Sequence, residues 1–391
     1  MQITEPPSSQ KNFALFALGF RPFFLFAGLS AFSLMLYWLY VFSSGQLVSD
    51  HIAPVYWHSH EMIFAYTAAV IAGFLLTAVK NWTGVQTLNG AWLAGLFVIW
   101  LLPRLMFVLN VDVFWLAVVD LLFLPLLAIA IACPIIKARQ WNNLFFVGLI
   151  LIFAVSHLVF YLQFLTGLDE GEEWGVHTAL GVVLVIITVM AGRVIGFFID
   201  RGISGNVKNY HWANQLALWA TVAFVALQFV LPKPVLSVIA IIAMLGHLGR
   251  LVAWHHRQIW QVPLLWVLYI GYCWLTLGFA LTAFELNGLV AETLAIHMFT
   301  VGAIGVITLG MMARVALGHS GRPMQQHGLI TLAFGLINVA VMLRVFGPMI
   351  WPQFQLLWIQ LAGAGWVLAF LCFSFIYLPI LWFSRFDGRP G

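Results

Sequence analysis

Charge is what this sequence has least of. Only 8% of its 391 residues are charged, whereas a soluble globular domain carries about 25%. Hydrophobic residues make up 63% of the chain, and its mean hydropathy is +1.00. Because a water-soluble surface needs charged and polar side chains, this composition excludes a soluble enzyme, a nucleic-acid-binding domain and a disordered chain. We therefore expect an integral membrane protein.

Cysteine is also scarce. The three cysteines, Cys133, Cys273 and Cys372, all lie in apolar stretches. Their number is odd and no CxxC pair occurs, which excludes a disulfide framework, a cysteine-based zinc site and a covalently attached c-type haem. The chain starts with a polar segment, and the first apolar run is too long for a signal-peptide core, so we expect no cleaved signal peptide.

Long continuous apolar runs are what the chain has instead. A transmembrane helix needs about 20 apolar residues, whereas a β-barrel would show alternating segments of about ten residues. The runs predict an all-α, polytopic membrane protein with a single membrane domain over residues 1–391. We place twelve spans at 14–42, 57–79, 90–109, 113–135, 144–166, 175–199, 212–231, 235–254, 262–284, 293–317, 329–347 and 355–383.

The basic residues are distributed unevenly between the connecting segments. If the N-terminus and every second loop share one side, that side holds ten of the 17 basic residues, and the opposite loops hold only Lys233. The other six are arginines inside spans. Basic loops face the cytoplasm, so both termini are predicted inside. The pI of 9.1 follows from this topology, and we expect no nucleic-acid partner.

A repeat of four helices is suggested by matching positions in spans six and ten. In each span an Ile-Thr pair follows a histidine by ten residues: Ile187 follows His177, and Ile307 follows His297. The two histidines are 120 residues apart, and a similar step back from His177 reaches the histidines of span two. We predict three four-helix repeats at 14–135, 144–254 and 262–383; the alternative is that apolar helices simply resemble one another.

The histidines are the main candidate site residues. Half of the twelve lie inside predicted spans, where ionisable groups are costly and commonly functional. Imidazole binds copper, iron and zinc, and haem iron takes axial histidine. We predict a metal centre from the four that lie within about five residues of the outer span ends, less than about 8 Å of helix rise: His58, His60, His177 and His297. Three more are candidate ligands: His157, His247 and His319. For any one of them, a packing or interfacial role is the alternative.

Two of these histidines stand beside a carboxylate. His58 and His60 are two residues apart, so on a regular helix their side chains point about 200° apart and do not face one metal together. Either they serve two neighbouring metals, or the helix begins only at Ser59. Glu61 lies near the His58 face and is a candidate catalytic proton relay; the alternative is a partner for the helix dipole. Asp120, in the middle of span four, is a weaker candidate for a proton path.

Arginines inside the spans are candidates for binding haem propionates. Arg104 and Arg344 lie at the outer depth. Arg193, Arg250 and Arg314 lie in the inner halves of their spans, where snorkelling to the cytoplasmic interface is the alternative role.

Several motifs resemble the NnrS family. They are residues 57–64 (WHSHEMIF), 72–79 (AGFLLTAV), 81–84 (NWTG), 192–195 (GRVI), 300–305 (TVGAIG) and 313–322 (ARVALGHSGR). The resemblance runs from about Phe20 to Tyr377. It implies a bacterial inner-membrane protein that contains haem and copper and is linked to nitric oxide metabolism and nitrosative-stress tolerance. The cofactors expected from this resemblance are haem b and copper. Tyr269 stands where the family often has a histidine, so no ligand is expected there.

Three functions compete on this basis. The first is a redox enzyme, similar to a nitric oxide reductase, that reduces NO with electrons from a quinol or cytochrome donor. The second is a sensor or metal-protection factor that binds NO without turnover. The third is a twelve-helix transporter, although transporters favour polar groups at the membrane midplane and those here lie towards one side.

Overall fold

The protein is helical throughout the part that the structure describes. This computed structural model describes residues 12–45, 52–203, 207–325, 327–385 and 387. It is 84% helical, and no strand occurs in these residues. Eleven helices are long and apolar enough to cross a membrane. The prediction of an all-α, multi-pass membrane protein is thereby confirmed.

The helices follow the predicted spans closely. We number them α1 to α12: Phe20–Ser44, Pro54–Thr83, Gly90–Val108, Val113–Lys137, Leu144–Thr166, Gly171–Ile203, His211–Leu227, Lys233–Trp254, Pro263–Leu286, Glu292–His319, Gly328–Ile350 and Gln355–Trp382. The exception to the membrane-crossing length is α7, which has 17 residues, against the about 20 that a span needs. Helix α2 begins three residues before the predicted span because Pro54 is favoured in the first helical turn.

The described residues divide into two compact units. The first contains α1 to α5, the start of α6 up to Ala179, and the described residues of 312–327 and 370–387. The second contains residues 180–311 and 328–369.

Helix α2 is the core of the first unit. In the most apolar 18-residue stretch of α2, 89% is buried, so other parts of the protein contact this helix on nearly all sides. A Cβ atom on Gly73 would lie 2.8 Å from the ring of Phe24, which shows how closely α1 and α2 approach. The backbone N–H of Phe20 donates to Thr77 Oγ1 at 3.1 Å. Arg21 donates to the carbonyl oxygen of Phe383 at 2.6 Å and so satisfies the end of α12.

Within the described residues, three helices contain π-helical segments. They lie at Glu61–Thr67 in α2, Met298–Gly305 in α10 and Met342–Phe346 in α11. The first two begin directly after His60 and His297. Because π-helical turns within α-helices are rare and frequent at functional sites, they mark these two histidines for closer inspection.

Candidate metal centre

Six polar side chains meet inside the first unit, where apolar residues would be expected. We call them the α2–α5 cluster. Each is less than 10% exposed, with Arg104 the most accessible at 9%. Buried charged groups are unfavourable unless they are paired, so their joint burial needs a specific arrangement. The cluster consists of His60, Glu61, Arg104, Asp120, His157 and Tyr161.

Two imidazoles and one carboxylate form its centre. Nε2 of His60 lies 2.9 Å from Nε2 of His157. Asp120 Oδ2 lies 3.2 Å from the His60 nitrogen and 3.6 Å from the His157 nitrogen. These three ligand atoms all lie within 4.8 Å of one another, close enough for one metal ion to contact all three.

Further side chains hold this centre in place. Glu61 Oε1 accepts a hydrogen bond from His60 Nδ1 at 2.9 Å. Arg104 Nε donates to Glu61 Oε2 at 3.1 Å, and its two terminal nitrogens donate to Asp120 at 3.0 and 3.3 Å. The hydroxyl of Tyr161 donates to Asp120 Oδ2 at 2.9 Å. Both carboxylates are therefore oriented by more than one partner, as metal ligands and their supporting groups are.

Local breaks in the helices position these groups. In α4 the first segment ends at Asp120, and the helix resumes at Phe123. The backbones of α5 and α6 approach closely at Gly175 of α6. A Cβ atom at this position would lie only 2.7 Å from the carbonyl oxygen of Ser156 in α5. His157 follows Ser156 directly, so it lies at this close contact between the two helices.

Aromatic rings surround the two imidazoles. Phe64 stacks on His157 with ring centroids 4.2 Å apart and planes 11° apart. Phe160 lies 4.9 Å from the His60 ring, and Phe107 lies 6.0 Å from it. These rings exclude water, which strengthens every electrostatic interaction inside the cluster.

The charges of the cluster do not cancel with neutral histidines. Glu61 and Asp120 together carry two negative charges when ionised, and Arg104 carries one positive charge. The remaining negative charge favours either a protonated imidazole or a bound cation between the ring nitrogens.

The other predicted histidines have different surroundings. The ring of His58 stacks on Trp38, with centroids 4.4 Å apart, so it points away from the partners of His60, in accordance with the two-residue spacing. His177 Nδ1 donates to the carbonyl oxygen of Glu173 at 2.9 Å. His297 Nδ1 donates to that of Thr293 at 2.6 Å. Both are thus bonded to the residue four positions earlier in their own helix.

A second buried polar group lies in the second unit. His247 is fully buried, and its ring nitrogens contact Thr221 Oγ1 at 3.0 Å and the Tyr272 hydroxyl at 2.7 Å. Arg250 donates to Tyr272 at 2.9 Å and to Asn214 Oδ1 at 2.9 Å. Snorkelling is therefore wrong for Arg250, which is 4% exposed because it is hydrogen-bonded within the unit.

The α2–α5 cluster does not include the remaining candidate residues. Arg193 is exposed, whereas Arg314 and Arg344 are half-buried. His319 lies 3.5 Å from the Asn81 amide, and its ring is 5.7 Å from that of Phe20.

The sequence indicated most of the cluster but not all of it. Tyr161 is absent from the candidates of the sequence analysis, although it follows His157 by four residues and therefore shares its helix face, which is a usable signal. The sequence marks Asp120 only as a weaker candidate, because no spacing along the chain relates it to His60.

The fold and the cluster define a polytopic α-helical membrane protein with a buried histidine–carboxylate centre. The model of the NnrS protein family matches residues 14–385, nearly the whole chain, and the chain belongs to this family. The predicted resemblance is thereby confirmed. Membership links the chain to nitric oxide metabolism and to metal or haem binding in general. No curated protein is detectably similar to the chain.

Proposed function

We propose that this protein holds haem b and copper through histidines near the starts of its membrane helices and reduces nitric oxide there. The reaction consumes two NO molecules, two electrons and two protons and releases one N2O and one water. A quinol or a cytochrome supplies the electrons. The physiological role is tolerance to nitrosative stress.

The observation that carries this proposal is shared by His60, His177 and His297. Each lies in the first two turns of its helix, and Nδ1 of each donates to an acceptor of the same helix: Glu61 Oε1, the Glu173 carbonyl and the Thr293 carbonyl. Such a bond leaves the ligating lone pair on Nε2 and orients the ring, which is the usual setting of a metal-binding histidine.

The donor set fits the metals that the family implies. Imidazole nitrogens suit both copper and haem iron. We assign His58, His177 and His297 to this role together with His60 and His157. Bound metals would supply the binding of NO and the transfer of electrons. Arg344, Arg314 and Arg193 are the cations that we propose for haem propionates, whereas Arg104 already pairs with two carboxylates.

Side chains of the protein supply a path for protons and exclude water from the site. Glu61 contacts His60 Nδ1 directly, so it is placed to pass a proton along the edge of that imidazole. Arg104 and Tyr161 hold Asp120, and the Phe64 and Phe160 rings keep water away. A dry site protects a reactive gas from side reactions.

We further propose twelve membrane helices in three repeats of four. Helices α2 and α10 both pass into a π-helical segment directly after a histidine. The Nδ1 bonds of His177 and His297 reach the same relative position, four residues back. These local likenesses support the 120-residue period; in this scheme α7 is a short span.

The proposed location is the bacterial inner membrane with both termini in the cytoplasm. Reporter fusions made after Asp169 and after Lys208 are expected to report opposite sides, with Asp169 outside. Alkaline phosphatase activity at the first site and fluorescent protein signal at the second would agree with this topology. Both fusions on one side would contradict it.

Turnover of NO by the purified full-length chain tests the function itself. With a quinol analogue as reductant, we expect loss of NO at an electrode and release of one N2O for every two NO. Heat-inactivated protein with the same haem content is the control. Stoichiometric NO binding without release of N2O would contradict enzymatic reduction and favour a sensor. Solute uptake into liposomes that contain the protein, independent of NO, would favour a transporter.

A further inference from the structure

We infer that His60, His157 and Asp120 form a mononuclear copper site that is separate from any haem. The identity of the metal rests on the proposed function, whereas the ligand set rests on the geometry of the first unit alone. The ligand atoms are Nε2 of His60, Nε2 of His157 and Oδ2 of Asp120.

The distances between these atoms match one shared ion. Two nitrogen ligands at about 2.0–2.1 Å from a metal, and at a right angle to each other, are about 2.9 Å apart. The His60 and His157 nitrogens are 2.9 Å apart. The Asp120 oxygen lies 3.2 and 3.6 Å from these nitrogens, so all three atoms fit within one coordination sphere. Among the common divalent metals, copper(II) binds nitrogen and oxygen donors most strongly.

The two nitrogens cannot both present lone pairs to each other without something between them. His60 Nδ1 already donates to Glu61, so the ring carries its ligating lone pair on Nε2 when it is neutral. That atom faces Nε2 of His157 within hydrogen-bonding distance. A proton or a metal ion must therefore lie between them, and a bound cation is one of the two ways to compensate the remaining negative charge of the cluster.

The packing leaves no place for a porphyrin at this point. Both imidazoles are at most 2% exposed. Phe64 covers one face of His157 at 4.2 Å, and Phe160 lies 4.9 Å from His60. The three ligand side chains come from α2, α4 and α5 and approach one another to within 3.6 Å. A small ion fits between them, whereas a flat macrocycle does not.

The supporting contacts are also those of a metal site. Glu61 orients His60, and Arg104 and Tyr161 orient Asp120. His157 is oriented differently: its Nδ1 has no hydrogen-bond partner within the described part of the chain, and the Phe64 ring holds its plane. Both orienting devices leave Nε2 directed at the shared position.

Copper binding to purified variants tests the site. The full-length chain in detergent is titrated with copper(II), passed over a chelating resin, and analysed for copper and haem per chain. Electron paramagnetic resonance of protein labelled with 15N-histidine counts the bound imidazoles. We expect one copper with two imidazole couplings. The Asp120→Asn variant, which keeps the side-chain shape, is expected to weaken copper binding at least about 10–100-fold, and His157→Asn to remove one coupling, each with haem content unchanged.

Two matched variants serve as controls. Asp112→Asn changes a carboxylate of the same helix that caps the Phe114 N–H. His211→Asn removes an exposed histidine at the start of α7, in the second unit. Both are expected to bind copper like the unaltered chain. Size-exclusion chromatography shows which variants are folded, and Asp120→Asn serves if His157→Asn is not.

The outcomes separate this site from the proposed function. Unchanged copper binding in Asp120→Asn and His157→Asn would overturn the site, even if the protein consumes NO. Iron or zinc in place of copper would overturn the assigned metal. A chain that binds copper as expected but neither holds haem nor consumes NO would support the site and refute the proposed function.

Discussion

Replacing Arg104 by methionine is expected to lower the free energy of unfolding by about 3–5 kcal/mol, the usual loss when one partner of a buried ion pair is removed. The guanidinium contacts Glu61 at 3.1 Å and Asp120 at 3.0 Å, and both carboxylates are 1% exposed. Without it two negative charges remain in a site that water does not reach. Methionine preserves much of the apolar volume, so the loss reports the charge rather than a cavity.

Denaturant unfolding in detergent, followed by tryptophan fluorescence, measures this effect. The exposed Arg257 is the matched control, since Arg257→Met should change the free energy of unfolding by no more than about 0.5 kcal/mol. Adding Glu61→Gln and Asp120→Asn to Arg104→Met removes the unpaired charges and should recover a large part of the loss. If Arg104→Met alone is as stable as the unaltered chain, the carboxylates are not both ionised in the folded protein.

Replacing Glu61 by glutamine is expected to slow NO consumption per haem by about 10²–10⁴-fold, the usual contribution of a positioned proton donor. Glutamine keeps the size of the side chain but cannot take up and release a proton. Its oxygen can still accept the hydrogen bond of His60 Nδ1 that the carboxylate accepts at 2.9 Å. We therefore expect haem to be retained and copper affinity to fall by no more than about 10–100-fold.

Spectra and NO consumption measured on one Glu61→Gln preparation distinguish this role from a helix-dipole role. The latter predicts a stability change of about 0.3–1 kcal/mol and unaltered consumption. Glu172→Gln is the control, because it neutralises another buried carboxylate of the first unit outside the cluster. Consumption at the normal rate per haem in Glu61→Gln would refute the relay.

The helices were largely predictable because crossing a membrane is a local requirement. In lipid every backbone polar group must be satisfied within the segment, so an apolar run of sufficient length predicts a helix without knowledge of its neighbours. The ends were less predictable. Helix α6 extends over Gly171–Ile203, beyond the predicted 175–199, since polar residues at its ends continue the same hydrogen-bonding pattern. In the opposite sense, α7 ends at Leu227, before the predicted limit at residue 231.

The partners within the site were not predictable in the same way. His60 lies 97 residues from His157, and Arg104 lies 43 residues from Glu61. Each was a candidate because placing a polar group in an apolar span costs free energy. This cost alone does not identify the partner residue that compensates it. Asp120 illustrates this: it looked isolated in the sequence, and the structure gives it contacts with four polar side chains.

The sequence by itself determined the class of the protein, its membrane helices, its family and the histidines worth testing. These follow from the composition, from the length of the apolar runs and from motifs of consecutive residues. Only the tertiary structure decided that His60 faces His157 and Asp120 while His58 faces Trp38, and that Arg104 neutralises carboxylates. The physical reason is that the rotation and depth of each helix depend on packing against other helices, so the meeting of side chains from α2, α3, α4 and α5 is a property of their assembly.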